Sequence, residues 1–289
     1  MDQSRASERR RDPRQQPDTG PEAAPAGTGP YPAIMEGDPT LPTHTIYRPQ
    51  TLDAFGTGAR LPIVAWGNGG CANSSFPFRN FLLEIASHGF LVVAIGLAHD
   101  LGPEPGVGRT QPAQLLDAIE WAIAEHSRPE SSYAGKLATE KIAVMGQSCG
   151  GLQALAVSPD PRITTSVIWN SGLLTAPPAH LPMPHVDKAV LQRVHAPVAY
   201  FLGGVDDVAY PNALDDVARI DRVPLFFGSV DVGHGGTFAE PNGGEFGRVG
   251  VAWLKWRLLD DQSSGALFAG PSCSLCTDLR WQVIKKQLP

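Results

Sequence analysis

The sequence predicts an α/β fold with a mainly parallel central sheet and helices on both of its faces. Three observations carry this. Apolar runs alternate with helix-spaced segments from about residue 60 onward, the βαβα rhythm that builds a parallel sheet. Runs such as LPIVAW and FLVVAI read as buried strands. A Gly-x-Ser-x-Gly segment, Gly146-Gln147-Ser148-Cys149-Gly150, falls between one such run and a helical stretch.

The elements follow in order. Leu61 to Trp66 is a strand, and residues 77 to 88 form a helix with Pro77 at its start and Gly89 just past its end. Phe90 to Ile95 is the next strand. Residues 111 to 126 show helix spacing in Leu115, Leu116, Ile119, Ala122 and Ile123. Strands are expected at 141–145, 163–170 and 198–202, with another beginning at Leu225. A helix over 212–220 lies between the last two, and a final helix over 244–259 turns Val249, Trp253, Trp256 and Leu259 inward. Fewer than thirty residues separate the strands ending near Asn170 and starting at Val198, room for one short helix and no large cap.

One domain over residues 31–260 is the economical organisation, because open α/β sheets of this length fold as a unit. Residues 1–30 carry Arg5, Arg9, Arg10, Arg11 and Arg14 before a Pro/Gly/Ala-rich stretch. With no apolar core like that of a signal peptide, they read as a disordered arm. Residues 261–289 form a C-terminal tail containing Trp281 and a Cys273-x-x-Cys276 pair, free to pack back on the domain. No zinc-spaced second ligand pair accompanies these cysteines, which leaves a local disulfide or two free thiols.

The net charge of −6 gives no general reason to bind nucleic acid or an anionic membrane. No apolar run approaches the roughly 18 residues of a membrane span. A small uncharged substrate fits better, and the oligomeric state is left open. Any disulfides would point to an oxidising compartment and export, against the missing leader.

The chemistry gathers in four segments. Ser148 stands where a sharp strand-to-helix turn would expose a nucleophilic hydroxyl, with glycines on either side to admit neighbouring backbone. Cys149 follows it; its N–H would face an oxyanion, while its side chain either packs as a small hydrophobe or pairs with another sulfur. A Cys71–Cys149 bridge would tie two loops together. The Gly-rich stretch Trp66-Gly67-Asn68-Gly69-Gly70-Cys71 offers a second oxyanion donor, from Asn68 or Gly69. In Gly203-Gly204-Val205-Asp206-Asp207, either aspartate could orient a base. His234, flanked by Gly233 and Gly235, is poorly explained as a core residue and is the candidate base.

These segments resemble the α/β-hydrolase superfamily over about residues 45–260, closest to compact esterase-like members of the dienelactone hydrolase and cutinase or polyester hydrolase groups. The resemblance implies a Ser148, Asp207, His234 triad in the chain order of that fold, with Asp207 preferred over Asp206 by its place in the acid loop. It also implies no metal or organic cofactor. The oxyanion segment departs from the His-Gly start common in lipases. A serine carboxylic ester hydrolase with an open cleft is therefore expected, acting on small-molecule or polymeric esters, with Trp66, Trp169 and Tyr210 near the cleft rim. An amidase or peptidase with the same triad and a non-catalytic ligand-binding member of the fold are the alternatives.

Overall fold

A computed structural model of the protein describes residues 26–97, 109–175 and 184–289. In chain order the elements are β1 (Ala33–Gly37), β2 (His44–Pro49), β3 (Leu61–Gly67), α1 (Arg79–Ser87), β4 (Leu91–Ile95), α2 (Ala113–Ser127), β5 (Leu137–Gln147), α3 (Cys149–Val157) and β6 (Thr165–Trp169). They continue with β7 (Val198–Leu202), α4 (Tyr210–Arg219), β8 (Leu225–Val230), α5 (Gly244–Leu259), α6 (Gln262–Gly265), α7 (Ser274–Thr277) and β9 (Trp281–Lys286). The nine strands of the described residues join one sheet in the order β1-β2-β4-β3-β5-β6-β7-β8-β9. The stretch from β4 to β8 is parallel, and β1, β2 and β9 pair antiparallel at its two ends. This is the α/β-hydrolase fold.

Strand periodicity divides the core in two. Along β3, Ile63 and Ala65 face the layer of α2, α3 and α4, while Val64 and Trp66 face the layer of α1 and α5. Covered on both faces, β4, β6 and β7 are buried at every residue, which is why each reads as an unbroken apolar run. The α1–α5 side is aromatic: Phe81 lies between Trp66 and Trp169 at 5.3 and 5.1 Å, and Trp169 stacks on Phe201 at 4.7 Å.

The three antiparallel strands are absent from the sequence-based expectation. In β1 and β2 an ion pair across the ladder, Arg48 Nε to Glu36 Oε1 at 2.6 Å, interrupts the apolar pattern. In β9 two lysines close the run. Leu259 also departs from expectation: it is half exposed at the end of α5, and Leu258 takes the inward place.

The boundary expected at residue 260 does not divide the structure. Beyond it, Phe268 is buried and stacks on Trp256 at 5.8 Å, and β9 pairs with β8 along its whole length. The Cys273–Cys276 disulfide closes the turn at α7. At the other end, Thr28 donates to the Glu84 carboxylate from its N–H (2.8 Å) and hydroxyl (2.5 Å), so residues 26–30 are fastened to α1. The remainder of the expected arm, residues 1–25, lies outside the described residues. Between β6 and β7 the described residues hold one 3-10 helix, Lys188–Arg193. No helix among the described residues is long and apolar enough to cross a membrane.

Trp281 covers Gly228 of β8, where an added Cβ would lie 3.0 Å from its ring. Trp281→Ala should therefore cost about 3–5 kcal/mol, read as a lowered urea midpoint. An unchanged midpoint would mean that the C-terminal strand is dispensable to the sheet.

Candidate active site

The polar residues of interest stand just past the carboxyl ends of neighbouring strands: Asn68 after β3, Ser148 after β5, Asn170 after β6, Asp207 after β7 and His234 after β8. Parallel strands deliver their carboxyl ends to one edge of the sheet, where ligand crevices form in open α/β folds.

Ser148 has φ +51° and ψ −116°, in the left-handed half of backbone space. A non-glycine residue there carries strain that the surroundings must hold. The holding is visible: Ser148 N donates to Trp169 O at 2.9 Å, and Ser171 Oγ donates to Ser148 O at 2.7 Å. The flanking glycines are required by contact. A Cβ at Gly146 would come 2.2 Å from Gly150 O, and one at Gly150 would come 2.0 Å from Gly67 O.

Ser148 Oγ lies 3.0 Å from His234 Nε2, and His234 Nδ1 lies 2.6 Å from Asp207 Oδ1. A carboxylate only accepts, so Nδ1 carries the ring proton and the Nε2 lone pair faces the serine hydroxyl. Asp207 is buried, whereas Asp206 is exposed, so of the two aspartates it is Asp207 that meets the histidine. Its Oδ1 also accepts from Ala209 N (2.9 Å), and its Oδ2 accepts from Asn170 Nδ2 (2.8 Å) and Gly203 N (3.1 Å). Burial pushes this carboxyl up. The hydrogen bonds from His234, Ala209, Asn170 and Gly203 outweigh burial and hold its pKa below the ordinary value.

The loop after β3 and the turn at Ser148 are joined covalently by the Cys71–Cys149 disulfide, whose cysteines are both buried. Cys71 too has a left-handed backbone, φ +51°. Thr110 secures the same loop by donating its N–H and hydroxyl to Cys71 O, each at 3.1 Å. The Asn68 side chain is committed to structure: Oδ1 accepts from Trp66 Nε1 at 2.9 Å, and Nδ2 donates to Ala72 O and Ile95 O at 2.9 and 2.6 Å. Its backbone N–H, with those of Gly69 and Cys149, donates to no acceptor among the described residues. No cluster of three or more His, Cys, Asp or Glu suited to a metal ion occurs among them either.

The sequence matches the PET hydrolase-like family over residues 45–280. The chain belongs to that family. No curated protein matches the sequence. Membership in the PET hydrolase-like family makes the protein a hydrolase acting on esters.

Within this PET hydrolase-like chain, two of the aromatic residues expected at the cleft rim are elsewhere. Trp66 and Trp169 are completely buried, because their positions on β3 and β6 point into the aromatic layer under α1 and α5. Trp66 braces Asn68 from below, and Trp169 supplies the carbonyl that holds Ser148. Tyr210 is half-buried, with its hydroxyl given to Gln282 Oε1 at 2.7 Å and its ring packed on Phe227 at 5.8 Å. Two residues escaped the sequence reading. Asn170, at φ +42°, bonds both Asp207 and Gly233 O. Gln147 donates from Nε2 to His234 O at 2.9 Å. Both adjoin a strand end, the one signal that could have found them.

The depressed Asp207 carboxyl fixes the sign of a pH effect. It contributes stability above its unfolded pKa, about 3.9, and loses that contribution as pH falls through the lower folded value. Asp207→Asn should therefore lose stability less steeply than the parent on acidification below about pH 4, measured as urea midpoints across pH. Parallel profiles would show that the folded protein does not favour the ionised carboxyl.

Proposed function

We propose that the protein cleaves carboxylic esters through a covalent acyl-enzyme, with Ser148 as nucleophile, His234 as general base and acid, and Asp207 as the residue that orients the imidazole. The observation carrying this reading is the continuous path from Ser148 Oγ through His234 to Asp207, with contacts of 3.0 and 2.6 Å.

Ser148 Oγ attacks the ester carbonyl carbon as His234 Nε2 takes its proton. Negative charge then gathers on the carbonyl oxygen. The unpaired N–H groups of Cys149 and of Asn68 or Gly69 are suited to receive it, fixed in advance by the disulfide and by the Asn68 side-chain bonds. His234, now cationic, is stabilised by the buried Asp207 carboxylate and returns its proton to the departing alkoxide. Water enters by the same route in reverse, giving the acid and restoring Ser148.

His234 keeps 36% of its side-chain surface exposed, so the ring lies at the protein surface, a placement that suits esters with bulky acyl or alcohol parts. PET, the polymer in the family's description, is a candidate of that kind. The two disulfides suit an oxidising compartment.

A fluorophosphonate should modify Ser148, identified by peptide mass mapping, and the adduct should disappear in His234→Ala. Ser148→Ala should lose about 10⁴–10⁶-fold in kcat on soluble esters, and an ester should turn over faster than the amide of the same acid. A folded parent protein that takes no label would exclude an activated serine.

A further inference from the structure

We infer that Gln147 is a positioning residue for the reaction: its carboxamide holds the histidine loop against the oxyanion loop and so sets the Ser148–His234 distance. The inference rests on His234 acting as base toward Ser148.

Gln147 is the last residue of β5, buried, one position before the nucleophile. Its Nε2 lies 2.9 Å from the backbone carbonyl of His234. A carbonyl needs a donor, so the amide nitrogen faces His234 and the oxygen must turn the other way. That oxygen lies against Gly69, where a Cβ would meet it at 2.1 Å, with Phe78 at 3.5 Å from the same point. One planar group thus spans two loops that carry different parts of the chemistry.

The histidine loop has need of this tie. His234 sits between Gly233 and Gly235, followed by Gly236. Gly233 N and Val232 N are held by Gly203 O at 2.7 and 3.1 Å. The backbone of His234 itself, among the described residues, makes one hydrogen bond, to Gln147. Without it, Asp207 would still hold the ring at Nδ1, yet the peptide carrying the ring would be free to shift. A displacement of about 1 Å at the base can lower a rate by up to about 10²-fold.

The contact with Gly69 supplies a second way to disturb the same bond. Gly69 is not in the left-handed region, so alanine suits its backbone. The new methyl would collide with the Gln147 amide oxygen, and because the amide is rigid, moving the oxygen swings Nε2 away from His234. Gln147→Met and Gly69→Ala should therefore act through one lesion.

The experiment is a double-mutant cycle read by the rate of fluorophosphonate labelling at Ser148 and by kcat and KM on a soluble ester. Gln147→Met should slow labelling and kcat about tenfold with KM within about twofold. Gly69→Ala should do likewise, and the double variant should be no slower than either alone. Thermal midpoints of all four proteins should stay close, which a merely structural role would not allow alongside a lowered kcat. If Gln147→Met does not fold, Gln147→Leu takes its place in the cycle, with the same outcomes expected. Labelling as fast as the parent's in either single variant, or losses that multiply in the double, would overturn the inference while leaving Ser148 as nucleophile. A parent chain that takes no label would overturn both.

Discussion

A non-glycine residue held at φ +51° between β5 and α3 is the constraint on which the rest of the site depends. The turn is tight enough that Gly67, Gly146 and Gly150 must bring their backbones together without side chains. That close approach sets Ser148 at the crest of the sheet and brings the β3 loop beside it. Strain of this kind persists only where neighbours hold it. Here the holding comes from Trp169 O and Ser171 Oγ on one side and from the Cys71–Cys149 bond on the other.

Asp207, His234 and Asn170 are arranged around that crest by the same economy. Each follows a neighbouring parallel strand, so the sheet supplies their spacing and loops need only supply direction. Asn170 is the pivot between β6 and the two loops beyond it, bonding the acid with one hydrogen and Gly233 O with the other. A left-handed backbone at Asn170, as at Ser148 and Cys71, aims a side chain or carbonyl that a regular strand would have sent elsewhere.

The parallel strands and principal helices were legible in the sequence because burial on both faces leaves an unbroken apolar run. That Ser148 and His234 would come together was legible because each is a glycine-framed polar residue just past a strand; Asp207, which joins them, was told from Asp206 only by its place in the loop after β7. Trp66 and Trp169 were misread because a large aromatic beside a candidate site says nothing about which face of its strand it occupies. Gln147 and Asn170 were missed because their partners, His234 and Asp207, lie 87 and 37 residues away along the chain. Strands β1, β2 and β9 were missed because Glu36, Arg48, Lys285 and Lys286 break their apolar runs.

The ninth strand changes what the molecule presents to its neighbours. Without it the sheet would stop at β8, whose phenylalanines Phe226 and Phe227 flank an unfilled ladder of N–H and carbonyl groups, a template for another chain's backbone. With it the outermost ladder belongs to a short strand ending in Lys285 and Lys286. Lys286 also turns back to donate to Ile220 O at 2.9 Å, next to the end of α4. The segment that looks like an appendage thus closes this edge of the sheet with a short strand ending in two lysines, one of the devices that discourage pairing with another chain.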